Sequence, residues 1–176
     1  VVRLLLGRGA EVDKPANNGC TPLSIASQKG HDAVVRLLLE RGAEVDKPRN
    51  TGATPLFIAS QNGHTAVASI LIEFSATVNA QKNDNSTALH GACGVGHIEV
   101  VQLLMQHGAD PTIRNNSPDG GHYPPIEMAE WHATHQGSDK HKAIRKWLNA
   151  VRHFLPTHWA CFRRDIPSLL ELLRAD

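Results

Sequence analysis

Thr21-Pro22-Leu23-Ser24-Ile25-Ala26 returns as Thr54-Pro55-Leu56-Phe57-Ile58-Ala59 and again as Thr87-Ala88-Leu89-His90-Gly91-Ala92, each time after 33 residues (54 − 21 and 87 − 54). Gly30-His31, Gly63-His64 and Gly96-His97 keep the same step. So do Gly9-Ala10 and Gly42-Ala43, and two steps further on Gly108-Ala109. Self-similarity at one fixed period is the signature of stacked, equivalent supersecondary units. A stack offers an elongated surface rather than an enclosed pocket, which favours binding over chemistry.

The unit from Arg49 to Gln81 reads most clearly. Asn50-Thr51-Gly52 is a turn signal. Thr54 can cap a helix through its hydroxyl, and Pro55 suits the first helical position, where a missing N–H costs nothing. Leu56, Ile58 and Ala59 make a short first helix that Asn62-Gly63 ends. His64 or Thr65 opens a second helix, with Val67, Ile70 and Leu71 on one apolar face. Ser75-Ala76 closes it where the neighbouring units have Gly-Ala. That place needs left-handed backbone, so Ser75 carries a cost that Gly42 and Gly108 do not. The stretch before Lys14 is only a second helix and tail. Its apolar face (Val1, Leu4, Leu5) is expected to be bare, which implies a parent chain with a further helix before Val1.

The period, the Thr-Pro-Leu-x-x-Ala phrase, the Gly-His pairs and the Val34-Val35-Arg36-Leu37-Leu38-Leu39…Gly42-Ala43 tail resemble ankyrin repeats over residues 1–115. The resemblance implies an all-α fold: an α-solenoid of helix–turn–helix units with protruding hairpin loops, comprising a half unit and three full units. Departures are local. The family's His after Thr-Pro-Leu is Ser24, then Phe57, then His90. Ala88 replaces the Pro, and Asn85 replaces the turn glycine of Gly19 and Gly52.

Residues 116–176 are expected to continue the same stack as divergent repeats. Asn115 to Gly121 reads as an extended loop. Pro124-Pro125-Ile126-Glu127-Met128-Ala129 stands in for the phrase, displaced by four residues (124 − 87 = 37). A first helix is expected through Trp131 and His135, stopped by Gly137. Ser138 or Asp139 would cap a longer second helix from Lys140 to about Leu155. Pro156 to Cys161 resembles a degenerate sixth phrase, and Asp165 would cap a last helix through Leu173.

Composition narrows the function class. The formal net charge is +1 with 20% charged residues, which argues against a dedicated polyanion binder. Aromatics are 5%, so the core must be built from Leu, Val, Ile and Ala. Cys20, Cys93 and Cys161 form no paired motif, which reads as a reduced, intracellular protein of cytoplasm or nucleus. Cys93 and Cys161 fall on apolar helical stretches as small core residues. No apolar run is long enough to span a membrane.

His31, His64 and His97 recur one unit apart, too far to share an ion, so a structural role at the head of each second helix is expected. His132 and His135, with His122, His141 and Asp139 nearby, are irregular; a helix and loop that happen to be His-rich are preferred to a metal site. Lys140, Lys142, Arg145, Lys146, Arg152, Arg163 and Arg164 are interleaved with Trp147, Phe154, Trp159 and Phe162, a pattern that nucleic acid or an acidic protein patch would suit. Ile144, Trp147, Leu148 and Val151 nevertheless follow helical spacing as a core face, leaving the charges solvated. No nucleophile elbow, phosphate loop or paired-carboxylate pattern appears, so no enzyme activity and no cofactor are expected. The leucine-to-asparagine spacing at Leu71…Asn79 and Leu38…Asp46 partly matches that of asparaginyl hydroxylation in the ankyrin family; a turn residue bonding its own backbone is the preferred reading.

The framework positions are taken by packing, so binding belongs where units differ. Those places are Asn17, Asn18, Cys20, Gln28 and Lys29, then Asn50, Thr51, Ala53, Gln61 and Asn62, then Asn83, Asp84, Ser86, Gly94 and Val95. Arg49 and Lys82 join them at the loops, and Phe57 is the one large aromatic. The expected function is a protein–protein scaffold or adaptor that holds a protein partner on the concave surface of loop tips and first helices. The alternative is the recognition arm of a multidomain enzyme or ubiquitin-ligase component, and a third reading is nucleic-acid contact through 140–164. A monomer is expected, with no small-molecule substrate.

Overall fold

The computed structural model describes residues 1–117, 120–135 and 139–152. Helices run α1 (Val2–Gly7), α2 (Pro22–Lys29), α3 (Asp32–Glu40), α4 (Pro55–Gln61), α5 (Thr65–Glu73), α6 (Ala88–Val95), α7 (Ile98–Gln106), α8 (Pro125–His135) and α9 (Asp139–Arg152). No strand occurs among the described residues. First helices α2, α4, α6 and α8 pack in one row and second helices α3, α5, α7 and α9 in another. The expected elements from Pro156 onward lie outside the described residues.

Local chemistry sets each start and stop. The Thr21 Oγ1 accepts the Ser24 N–H at 3.1 Å and the Thr54 Oγ1 accepts that of Phe57 at 3.2 Å. Each such cap is worth about 1 kcal/mol. Pro22 and Pro55 occupy the first helical position. Left-handed backbone stops α2 at Gly30 (φ 70°), and Ser75 adopts φ 67° after α5 where Gly42 has φ 84°. The strain expected at Ser75 is therefore present.

Packing follows the repeat. Leu23, Leu56 and Leu89 are each 0% exposed, and Leu38, Leu71 and Leu104 meet them from the second row. Burying each of these leucines is worth roughly 1.5–3 kcal/mol. Ile144, Trp147 and Leu148 of α9 extend the same core, so the core-face reading of that helix holds among the described residues. Cys93 is fully buried in the core, and burial pushes its thiol pKa upward. At the other end Leu5, which holds the place of Leu38, is 53% exposed and Val1 97%.

Four hairpins join the units. Their base bonds run from the N–H of Ala16, Arg49, Lys82 and Asn115 to the carbonyls of Cys20, Ala53, Ser86 and Tyr123. The first three bases span four residues and the last eight (123 − 115), so the whole four-residue displacement of the fourth unit sits in its hairpin tip. Helix α8 starts at Pro125 and packs on α6.

Candidate functional site

Side chains lock the hairpins to one another. The Asn50 Nδ2 donates to the Asn17 carbonyl at 3.2 Å, and the Asn83 Nδ2 to the Asn50 carbonyl at 3.2 Å. Backbone bonds run beside them: Asn50 N–H to the Asn18 carbonyl, Asn83 N–H to Thr51 and Asn116 N–H to Asp84. Asn17, Asn50, Asn83 and Asn116 are spaced by 33 residues and form a continuous rail along the loop tips. Sequence reasoning assigned the first three to partner contact and omitted Asn116, although the same step marks it. All four remain exposed.

A second set of ties lies behind the tips. The Arg49 guanidinium donates to the Gln28 Oε1 at 2.9 Å and reaches the Ser24 Oγ and carbonyl at 3.4 Å. One unit later, Lys82 sits 5.4 Å above the Phe57 ring and pairs with Asp84. A cation over a ring face is favourable by about 0.5–1 kcal/mol. Burial raises the Asp84 pKa, but hydrogen bonds from Lys82 and Ser86 outweigh it and hold the carboxyl below its usual value.

This arrangement changes the standing of some expected contact residues. Phe57 is 6% exposed, roofed by Lys82, and is not available as an aromatic anchor. Ser86 and Ala53 are buried as well, in the hairpin bases. Asn17, Asn18, Gln28, Lys29, Asn50, Thr51, Gln61, Asn62 and Asn83 are exposed, while Cys20, Arg49, Lys82 and Asp84 are half-buried. Val95, in the place of Lys29 and Asn62, adds an apolar side chain 45% exposed.

The histidines divide by role. The His64 Nε2 bonds the Gln28 carbonyl at 3.0 Å, tying its unit to the one before. The His141 Nε2 faces the Gly94 carbonyl at 3.3 Å and is 5% exposed. Since Gly94 stands two units beyond Gln28 (94 − 28 = 66), His141 takes the junction histidine's place in the fourth unit. Its step from His97 is 44 rather than 33, which hid the equivalence. His122 lies in the fourth hairpin against the Asn115 carbonyl. The side chains of His132 and His135 lie outside the described residues. Among the described residues no group of three His, Cys, Asp or Glu side chains converges.

Asp13, Asp46 and Asn79 also repeat. Each side chain accepts the backbone N–H of Glu44, Thr77 or Asp110 respectively, at 2.8–3.1 Å. Asn79 further donates to the Gly108 carbonyl at 3.0 Å. These residues therefore bond the next unit's backbone rather than their own, correcting the turn reading of Asn79.

A family model described as ankyrin repeats (3 copies) matches residues 1–49 and 43–115. No curated protein matches the chain.

Proposed function

The chain belongs to the ankyrin-repeat family, and on that premise we propose that it holds an extended segment of a partner protein along its hairpin tips and first helices. Ankyrin repeats are generally protein–protein interaction modules and are typically non-catalytic. No helix among the described residues is long and apolar enough to cross a membrane.

One observation carries the reading. The ends of α2, α4 and α6 expose Gln28 and Lys29, Gln61 and Asn62, and Val95, while the leucines one face away are fully buried. The stack is thus specified by residues that repeat, while one exposed place changes from Lys29 to Asn62 to Val95 from unit to unit. Asn17, Asn50, Asn83 and Asn116 are exposed beside these side chains. Short polar groups with one aliphatic patch suit hydrogen bonding to an extended chain.

Lys29, Gln61 and Val95 are exposed and make no hydrogen bond through their side chains, so they report on binding without disturbing the ties. Affinity capture from the source cell with the wild type and with a Lys29→Ala/Gln61→Ala/Val95→Ala variant tests the proposal. The variant is expected to lose specific partners while its melting temperature moves by no more than about 2 °C. Full retention of every partner would place the contact surface elsewhere.

A further inference from the structure

We infer that the outer face of α9 is a second docking surface, separate from the hairpin–first-helix ridge, and that it receives the acidic face of a partner protein's helix. The charge distribution points there. Residues 1–115 carry ten basic and ten acidic side chains, net zero. Second helices α3 (Asp32, Arg36, Glu40), α5 (Glu73) and α7 (Glu99) are each net −1. Helix α9 carries five basic residues against Asp139 alone, net +4 (5 − 1).

The burial pattern orients that charge. His141, Ile144, Trp147 and Leu148 are buried against the stack, and Lys140, Lys142, Arg145, Lys146 and Asn149 are exposed. Lys142, Arg145, Lys146 and Asn149 follow i, i+3, i+4, i+7 spacing and form one stripe. Lys142 pairs with Asp139 within the helix at 2.9 Å. No described carboxylate lies within ion-pair distance of Lys140, Arg145 or Lys146.

The stack supplies a template for the occupant. The buried Ile144, Trp147 and Leu148 of α9 answer to the buried Val35, Leu38 and Leu39 of α3, which puts Arg145 in the place of Arg36. The Arg36 guanidinium pairs at 3.1 Å with Glu73, a carboxylate on the second helix lying alongside. Arg145 and its neighbours present cations where this architecture elsewhere takes a carboxylate from an adjacent helix. The stripe lies on one 14-residue helix. Trp147, the aromatic among these charges, is 5% exposed and offers no stacking platform for bases, which favours a protein helix over single-stranded nucleic acid.

The test uses the whole chain and a synthetic helical peptide of about 20 residues with Glu at i, i+4 on one face, followed by fluorescence anisotropy at low salt. Binding is expected, weakened at least about tenfold by Arg145→Glu/Lys146→Glu and left unchanged by Lys29→Ala/Gln61→Ala. Three results would overturn the proposal. One is no peptide binding at about 20 mM salt, and another is duplex or single-stranded DNA binding more tightly than the peptide. The third is a double variant that melts several degrees lower with no peptide present, which would put the stripe's counter-charges inside the chain.

Discussion

The Nε2 of His90 lies 3.1 Å from the carbonyl oxygen of Tyr123, in the base of the enlarged fourth hairpin. The same ring accepts the Thr87 N–H on Nδ1 at 3.1 Å, so the Nε2–H tautomer donates to Tyr123 and one neutral imidazole closes the α6 cap and the hairpin together. Burial, the largest influence, holds its pKa below the ordinary histidine value; the Tyr123 carbonyl and Asp84 push it up and Lys82 pushes it down. A lowered folded-state pKa means that the unfolded chain takes the proton first. The stability contribution is then complete above the ordinary value of about 6.5 and is lost as pH falls from there through the folded pKa. Urea denaturation at about pH 7.5 and about 5.5 should show the wild type losing more stability than His90→Ser. Serine is a fair replacement because Ser24 occupies that place in the first full unit. At pH 7.5 the variant should be less stable by about 1–3 kcal/mol, for two buried hydrogen bonds lost.

Glycine–histidine contacts separate sterics from backbone preference. A Cβ on Gly30 would lie 2.7 Å from the His64 Nδ1, and φ there is +70°. Gly42 has φ +84° with nothing within 4 Å of the same atom. Gly42→Ala should cost only the left-handed penalty, about 1–2 kcal/mol. Gly30→Ala adds displacement of His64 from the Gln28 carbonyl and should cost at least about 1 kcal/mol more. Equal losses in chemical denaturation would show that the His64 contact contributes nothing.

How far this was legible in the sequence depends on whether a residue's partner lies within its own unit. Caps such as Thr54 to Phe57 are local, and the 33-residue step gave both the helices and the core leucines. Phe57 misled because its cover, Lys82, comes from the next hairpin. The asparagine rail was read as contact surface because a hydrogen bond across one period leaves no local trace, only the step itself. The displacement of four was visible, yet nothing in the composition said that it falls between Asn115 and Tyr123 rather than in a helix. Repeat arithmetic thus gives the frame, while ties between units require geometry.

Two positions should gain stability. The Ser60 Oγ is fully buried with no hydrogen-bond partner, and the equivalent place one unit later holds Cys93. Ser60→Ala removes an unpaired polar group and should stabilise by about 1 kcal/mol. Ser75→Gly relieves φ 67° and should add roughly 0.5–1 kcal/mol. Because the two act by unrelated means, the double variant should show the sum in thermal melting. A Ser60→Ala variant less stable than the wild type would mean that the hydroxyl is satisfied in solution.

Asp46 tests the ties between second-helix tails. Its carboxylate accepts the Thr77 N–H at 3.0–3.1 Å and the Thr77 hydroxyl at 2.6 Å. Asn79 performs the corresponding bond to Asp110 with an amide oxygen, so charge is not required. Asp46→Asn should therefore lose less than about 0.5 kcal/mol and Asp46→Ala about 1–2 kcal/mol. Each unit contacts only its neighbours, so a broken tie should act locally. Hydrogen exchange should accelerate most around Thr77 and its flanking second helices, leaving the fourth hairpin protected. Uniform acceleration along the chain would mean that the stack unfolds only as a whole. It would also mean that the asparagine rail and the core, rather than these tail bonds, transmit cooperativity between units.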